Sequence, residues 1–442
     1  MKRLLSMRES SLAVGSEESD RKKAMSFGRS IVNFNAETHL KNIIIPYWNS
    51  MKDDEHGGFY GFRTYDLEIL KRADKGVVLH SRILWFYSNA YMTVGGEENL
   101  KNAYHAYQFI RDYCVDRQYG GVYWMMHYDG TVSDSTKNAY NQAFCIYGLS
   151  SFYRATGDKE ALRLAYSLFE CIETYFYDGN AYNEAYTANW RSVVESAICD
   201  QGVTASKTMN TLLHIMEAYT ELFNADRHPA VAQKLVDILE VARSKVFNPE
   251  FERLETFFDA GMSALADIHS YGHDIEATWL LDRACEVLKN GLDNNEVGQQ
   301  YRDRAKKIIE DTAAYTPVIA RKILECAFDG EALNNECRGE ASEKEGGASA
   351  VVDTNRIWWV QAESVVGFVN AWQKSGDEAY MSAASKIADY VQNVLTDKRA
   401  GSEWFWSVTK DGIVSDHGIT EPWKCPYHNG RMCIELIRRG VK

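Results

Sequence analysis

Proline is scarce, with six among 442 residues, so little interrupts helical periodicity along the chain. Long apolar runs are missing as well. No segment is apolar enough to span a bilayer, and the start, MKRLLSMRESSLAVGSEESDRKKAM, carries basic residues without the uninterrupted apolar stretch of a secretory signal. Residues 1–27 read as a disordered polar extension. Positive charge is in deficit: the formal net charge is −13, and without a basic footprint neither nucleic acid nor an anionic membrane is expected as a partner. The expected ligand is neutral or small. The nine cysteines show no CxxC pairs and no regular spacing, which argues against a disulfide framework or a zinc site and for reduced thiols in a cytoplasmic protein. No GxGxxG follows a strand and no Walker loop occurs, so no nucleotide cofactor is expected.

What is present is helix. Apolar periodicity predicts twelve helices, over 34–51, 78–94, 98–115, 137–156, 158–177, 205–224, 228–246, 273–290, 296–315, 355–374, 377–395 and 426–439. Six short segments rich in Gly and aromatics lie between them: 57–62, 119–124, 179–184, 251–256, 330–335 and 401–406. These read as hairpins. Thr156-Gly-Asp158 and Ser375-Gly-Asp377 read as tight turns that cap the next helix. The unit of helix, hairpin, helix and turn recurs six times at roughly sixty to eighty residues. Six such pairs can close on themselves, which predicts an all-α fold, an (α/α)6 barrel of twelve helices with short β-hairpins at one end, forming a single domain over 28–442. An open solenoid is the alternative. The even helices carry the heavier apolar load, as in Ile83–Tyr87 and Val365–Val369, and should form the inner ring. Segment 337–352 reads as an inserted, mobile polar loop.

Polar and aromatic singularities recur at one phase of the repeat, near the starts of the even helices. Arg82 opens the second helix and Asn141 the fourth. Asn210 and His214 share a face of the sixth, and His273, Glu276 and Trp279 share a face of the eighth. Trp358, Trp359 and Glu363 open the tenth, and His428 with Arg431 opens the twelfth. In a closed barrel these ends converge on one mouth, with Tyr123, Trp124 and Trp423 at its rim. Taken singly, each has a bland explanation: Arg82 as an ion-pair partner, His214 as a core histidine, Trp358 as a core filler, Arg431 as a surface charge. Five or six of them at one repeat phase point instead to a shared site.

Five strings carry a resemblance: Asp74–Trp85, Gly120–Met125, His269–Trp279, Trp358–Glu363 and Pro422–Arg431. They closely resemble members of the N-acylglucosamine 2-epimerase superfamily over residues 35–440. The N-terminal extension and the 337–352 insertion lie outside that pattern. The resemblance implies an (α/α)6 barrel that reversibly epimerises C2 of the reducing-end glucose of β-1,4-linked disaccharides, converting cellobiose to glucosylmannose and acting on lactose. It implies His273 and His428 as the acid–base pair, Arg82 as the stabiliser of an enediolate, and His214 and Glu276 as further catalytic groups. Tyr123, Trp124, Asn210, Trp279, Trp358, Trp359, Glu363 and Trp423 are then the expected sugar-binding residues.

Two histidines titrating near working pH suit such a reaction, because each can be base in one direction and acid in the other. No cofactor and no metal is expected, and the protein should be a monomer or weak homodimer. Within the superfamily the alternatives are an N-acylglucosamine or mannobiose 2-epimerase or an aldose–ketose isomerase. Outside it they are an α/α-barrel hydrolase or lyase using Glu276 and Glu363 as opposed carboxylates, and a non-catalytic sugar binder.

Overall fold

The computed structural model describes residues 34–193, 203–291, 299–344 and 347–441. The expected N-terminal extension lies outside these. Twelve long helices follow in order. α1 spans 36–50, α2 Val77–Val94, α3 Glu97–Phe109, α4 Ala139–Thr156, α5 Lys159–Cys171 and α6 Met209–Asp226. α7 spans Pro229–Val241, α8 Tyr271–Gly291, α9 Gln299–Cys326, α10 Trp358–Ser375, α11 Glu378–Tyr390 and α12 His428–Arg438. Helix starts are chemically marked: the Asp158 and Asp377 carboxylates accept backbone N–H groups of the first turns of α5 and α11, and Asn138 and Thr208 do the same for α4 and α6. Gly157 and Gly376, at φ +76° and +73°, end α4 and α10 in the left-handed conformation that glycine adopts at least cost.

The even helices pack in sequence, α2 on α4, α4 on α6, α6 on α8, α8 on α10 and α10 on α12, and α12 packs back on α2. The ring is therefore closed, which separates a barrel from a solenoid. Outside it α3, α5, α7, α9 and α11 each cover the inner helix they follow, and α1 covers α12. Each expected hairpin segment pairs back to the end of its outer helix, five by a single bridge such as Lys52 to Phe59, Val115 to Val122 and Thr396 to Trp404, and the fourth by two residues, Phe247–Asn248 with Arg253–Leu254. A second set of short pairs links neighbouring repeats. Lys75–Gly76 pairs with Met125–Met126, Lys137–Asn138 with Ala185–Tyr186, Lys207–Thr208 with Phe257–Phe258, Ile268–Ser270 with Glu336–Arg338, and Arg356–Ile357 with Ser407–Val408. The Arg63–Thr420 bridge joins last to first.

The hairpins share a device that composition does not announce. Asp53, Asp116, Asp178, Asn248, Asp329 and Asp397 each accept backbone N–H groups two or three residues on, closing the turn. Four of these aspartates also hold a cation at the entry to an inner helix: Lys75 on Asp53 at 2.7 Å, Lys137 on Asp116 at 2.8 Å, Lys207 on Asp178 at 2.6 Å, and Arg356 on Asp329. The turn is thereby tied to the helix start that it positions.

Three differences from the sequence reading have physical causes. A π-turn lies within α1 and another follows each of α3, α5, α7 and α11, and the apolar pattern does not distinguish this wider turn from an ordinary one. Helix α9 was expected to stop at 315, ahead of Pro317, but continues to Cys326. Tyr315, Ile319, Ala320 and Ile323 are buried on both sides of the proline, so packing outweighs the backbone bond it removes. The described part of the 337–352 segment is also more ordered than its composition suggested. Glu336–Arg338 and Val351–Asp353 pair as strands, a short helix Glu340–Lys344 lies between them, and Glu340 is held by Arg253, His269 and Lys322. Among the described residues no helix is long and apolar enough to cross a membrane, and the eight cysteines there are unpaired.

Candidate active site

The inner helices run with their N-termini at the hairpin end, and a cavity of about 270 Å³ opens there, near the lower end of the roughly 300–1,000 Å³ usual for small-molecule sites. Arg82 from α2, Asn210 and His214 from α6, His273 and Glu276 from α8, Trp358 and Trp359 from α10, His428 from α12 and Trp423 just before it all reach its wall. Tyr140, Ser270 and Trp406 line it too, and were not among the expected residues.

Arg82 is 2% exposed and is held by aromatic surfaces. Its guanidinium carbon lies 4.1 Å from the centre of the Phe144 ring and 4.7 Å from that of Tyr427. Nη2 donates to the Tyr140 hydroxyl at 2.6 Å and Nη1 to the Trp423 carbonyl at 3.3 Å, while Nε has no partner among the described residues. Among the described residues no carboxylate pairs with it. Such a buried cation is suited to receive negative charge that appears during a reaction.

The three histidines are held differently. His428 donates from Nδ1 to Glu363 Oε1 at 2.7 Å, and His214 from Nδ1 to Glu217 Oε2 at 2.9 Å. An ionised carboxylate can only accept, so Nδ1 carries the proton in both and Nε2 is left as the basic nitrogen. His273 has no carboxylate on it, and its Nδ1 shares a 2.7 Å hydrogen bond with the Ser270 hydroxyl. Burial, with His214 nearby, pushes the His273 imidazole down to about 3. Burial and then Arg431, Arg82 and the other two histidines push His428 down as well. Both are therefore neutral bases at neutral pH. The Trp359 ring sits beside each, 4.7 Å from His273 and 5.6 Å from His428 between ring centres.

Below these bases lies a charged layer. Arg431, 1% exposed, donates to Glu217 Oε1 at 2.5 Å, lies 2.7 Å from Glu363 Oε1, and also donates to Glu276 Oε1. Burial followed by the neighbouring Glu363 pushes the Glu276 carboxyl up to about 7, and its Oε2 is buried without a partner among the described residues. Burial works against an ionised Glu217 too, but Arg431, His214 and Tyr427 hold it down to about 2. Glu276, Glu363 and His428 bring potential metal ligands within 4.8 Å of one another. The cation among them is Arg431.

Four expected sugar-contacting residues sit elsewhere. Trp279 is 1% exposed, lies against Arg431 and donates to Glu363 Oε2, so it presents no face to a ligand. Glu363 is fully buried and meets side chains rather than the cavity. Tyr123 lies over the Lys137 ammonium, and Trp124 packs edge-on behind Trp423. Asn141, also buried, donates to the Tyr123 carbonyl and ties α4 to its hairpin. Among the residues sequence reasoning missed, Glu217 did carry a signal: His214 and Glu217 repeat the three-residue spacing of His273 and Glu276. Tyr140 and Trp406 offered none, being aromatic positions in a chain with many.

Residues 57–429 match the N-acylglucosamine 2-epimerase (GlcNAc 2-epimerase) family. A cellobiose 2-epimerase of Ruminococcus albus is 50% identical over 403 residues, covering 91% of this chain and 97% of that protein. One from Dictyoglomus turgidum is 40% identical with the same coverage. Among solved structures, a sugar epimerase from a ruminal bacterium superposes with a TM-score of 0.85 at 48% identity, covering 92% of this chain and 98% of the other. The cellobiose 2-epimerase of Bacillus thermoamylovorans does so with 0.82 at 37%, covering 91% and 98%. The chain belongs to the N-acylglucosamine 2-epimerase family and is a carbohydrate epimerase, an isomerase by class.

Proposed function

We propose that the protein reversibly epimerises C2 of the reducing-end glucose of β-1,4-linked disaccharides, with cellobiose and lactose as substrates, through a cis-enediolate. The C2–H of a closed sugar is not acidic, so the ring first opens to the aldehyde, with His428 assisting. One imidazole of the His273–His428 pair then takes the C2 proton, and the other delivers a proton to the opposite face. Arg82 carries the charge that develops on oxygen, His214, Asn210 and Glu276 bind polar atoms near the reacting carbon, and Trp358, Trp359 and Trp423 pack on C–H faces of the sugar. The observation that carries this reading is Arg82, a buried guanidinium that among the described residues meets aromatic rings and no carboxylate, at a cavity with two neutral imidazoles. Relatives of 50% and 40% identity that are cellobiose 2-epimerases support the choice of substrate.

Hydrolysis is less well served. A hydrolase needs carboxylates facing each other across the scissile bond, whereas Glu276 and Glu363 both bond to one nitrogen of Arg431.

The test is cellobiose in D2O. Product should carry deuterium at C2 of the reducing-end residue, with the non-reducing sugar unlabelled. Retention of the original hydrogen through many turnovers would refute the enediolate route, and release of free monosaccharide would revive hydrolysis.

A further inference from the structure

The charged layer beneath the cavity is built symmetrically. Arg431 lies between two rings, its guanidinium carbon 4.1 Å from the centre of Tyr427 and 4.8 Å from that of Trp279. Tyr427 donates its hydroxyl to Glu217 Oε2 at 2.5 Å, and Trp279 donates Nε1 to Glu363 Oε2 at 3.1 Å. Each of these carboxylates takes a bond from Arg431 and holds one histidine by Nδ1. His214, Glu217, Arg431, Glu363 and His428 thus form one continuous chain of hydrogen bonds across α6, α12 and α10. The planar fork of arginine suits this: two donor edges at fixed geometry can grip two carboxylates on different helices.

We propose that Arg431 is a positioning residue that couples the two histidine–glutamate pairs, orienting Glu217 and Glu363 together and through them fixing the tautomers and ring directions of His214 and His428. This rests on the epimerase reading above. Arg431 has no place on the cavity wall, so it acts through the glutamates and not on substrate. His428 faces Glu363 from α10, Arg431 from its own helix, Arg82 from α2, His214 from α6 and His273 from α8. Arg431 is the nearest of these cations in sequence, one helical turn on. Its removal takes away the larger of the two guanidinium charges that oppose protonation of His428, leaving Arg82.

The experiment measures kcat and KM for cellobiose against pH in the wild type and in R431Q, R431K, E217Q, E363Q and E217Q/E363Q, with C2 deuterium incorporation as a parallel readout. R431Q should move the acid limb of the kcat profile to higher pH by about one unit, and R431K should keep the limb in place while kcat falls by about tenfold or more with KM little changed. A residue that merely supports the fold would leave the limb unmoved in both. Should R431Q fail to fold, the double-mutant cycle decides: coupled pairs give an E217Q/E363Q loss well short of the product of the single losses, and independent pairs give the product. An unmoved limb in folded R431Q, or a multiplicative cycle, overturns the coupling. Wild-type enzyme without C2 exchange would instead overturn the epimerase reading and this inference with it, so the two failures are told apart by the wild-type control.

Discussion

The two ends of the barrel axis are built from the same helices and the same side-chain types, yet they are balanced differently. One turn beyond Glu217 on α6 lies Glu221, one turn beyond Arg431 on α12 lies Glu435, and two turns beyond Glu276 on α8 lies Arg283. At that far end Arg154 and Arg283 both hold Glu221, at 2.5 and 3.2 Å, and Arg283 and Arg439 both hold Glu435, at 3.4 and 3.3 Å. Burial opposes ionisation of both carboxylates, and the arginines bring them back below the usual range. Arg154 and Arg439 also sit at helix C-termini, where the peptide dipoles favour them. Both carboxylates there are answered within the protein. At the mouth one arginine serves three glutamates, and among the described residues one oxygen of Glu276 has no partner and Arg82 has no carboxylate. The far end is compensated within the protein. The mouth is left for a ligand to compensate.

The contrast is broken most sharply at the bases. His273→Asn or His428→Asn keeps size and hydrogen bonding but removes the titratable nitrogen, so epimerisation should fall by about 10³-fold or more with the circular dichroism spectrum unchanged. Near-wild-type turnover in either variant would mean that the wrong base has been assigned. Next comes the uncompensated cation. Arg82→Lys leaves charge but not the planar fork, and kcat should fall by about 10²-fold; a kcat within a few-fold of wild type would show that a point charge suffices.

The third test sharpens the comparison through pH. Glu276, held up at about 7 from an ordinary 4.5, stays protonated in the fold where the unfolded chain has already ionised. Its contribution to stability is therefore full below about pH 4.5 and is lost as pH rises toward 7. Glu276→Gln removes that dependence. In urea titrations the variant should gain on the wild type across this window by up to about 3 kcal/mol, and a difference constant with pH would contradict the assignment.

The smallest effect on activity is expected at the far end. Arg283→Met leaves Glu221 and Glu435 short of a partner, which should cost about 3 kcal/mol in denaturant unfolding while kcat of the folded enzyme stays within about twofold. A large loss of kcat at unchanged stability would show that the two ends are not separable.

Much of the architecture was legible because it rests on period and punctuation. Twelve helices, their pairing by Gly-Asp turns and the apolar weight of the even members follow from residues close in sequence. The mouth was legible because its side chains recur at one phase of the repeat. Trp279 and Glu363 were placed at the sugar because an aromatic beside a carboxylate has one appearance in sequence whether it faces a cavity or a guanidinium. What turned them inward was Arg431, some seventy to a hundred and fifty residues away. Helix α9 passed its proline for a similar reason, since burial of Ile319 and Ile323 against neighbouring helices lies outside any local window.

The sequence by itself determined the repeat, the inner and outer roles of the helices and the end of the barrel at which the candidate site gathers, because each depends on spacing along one helix or one turn. Tertiary structure alone decided which charges meet. Arg82 received aromatic rings and Arg431 three glutamates, though both are arginines in the first turns of inner helices. The physical reason is that the energy of a buried charge depends on what other helices bring to it, and no pattern along its own helix encodes that.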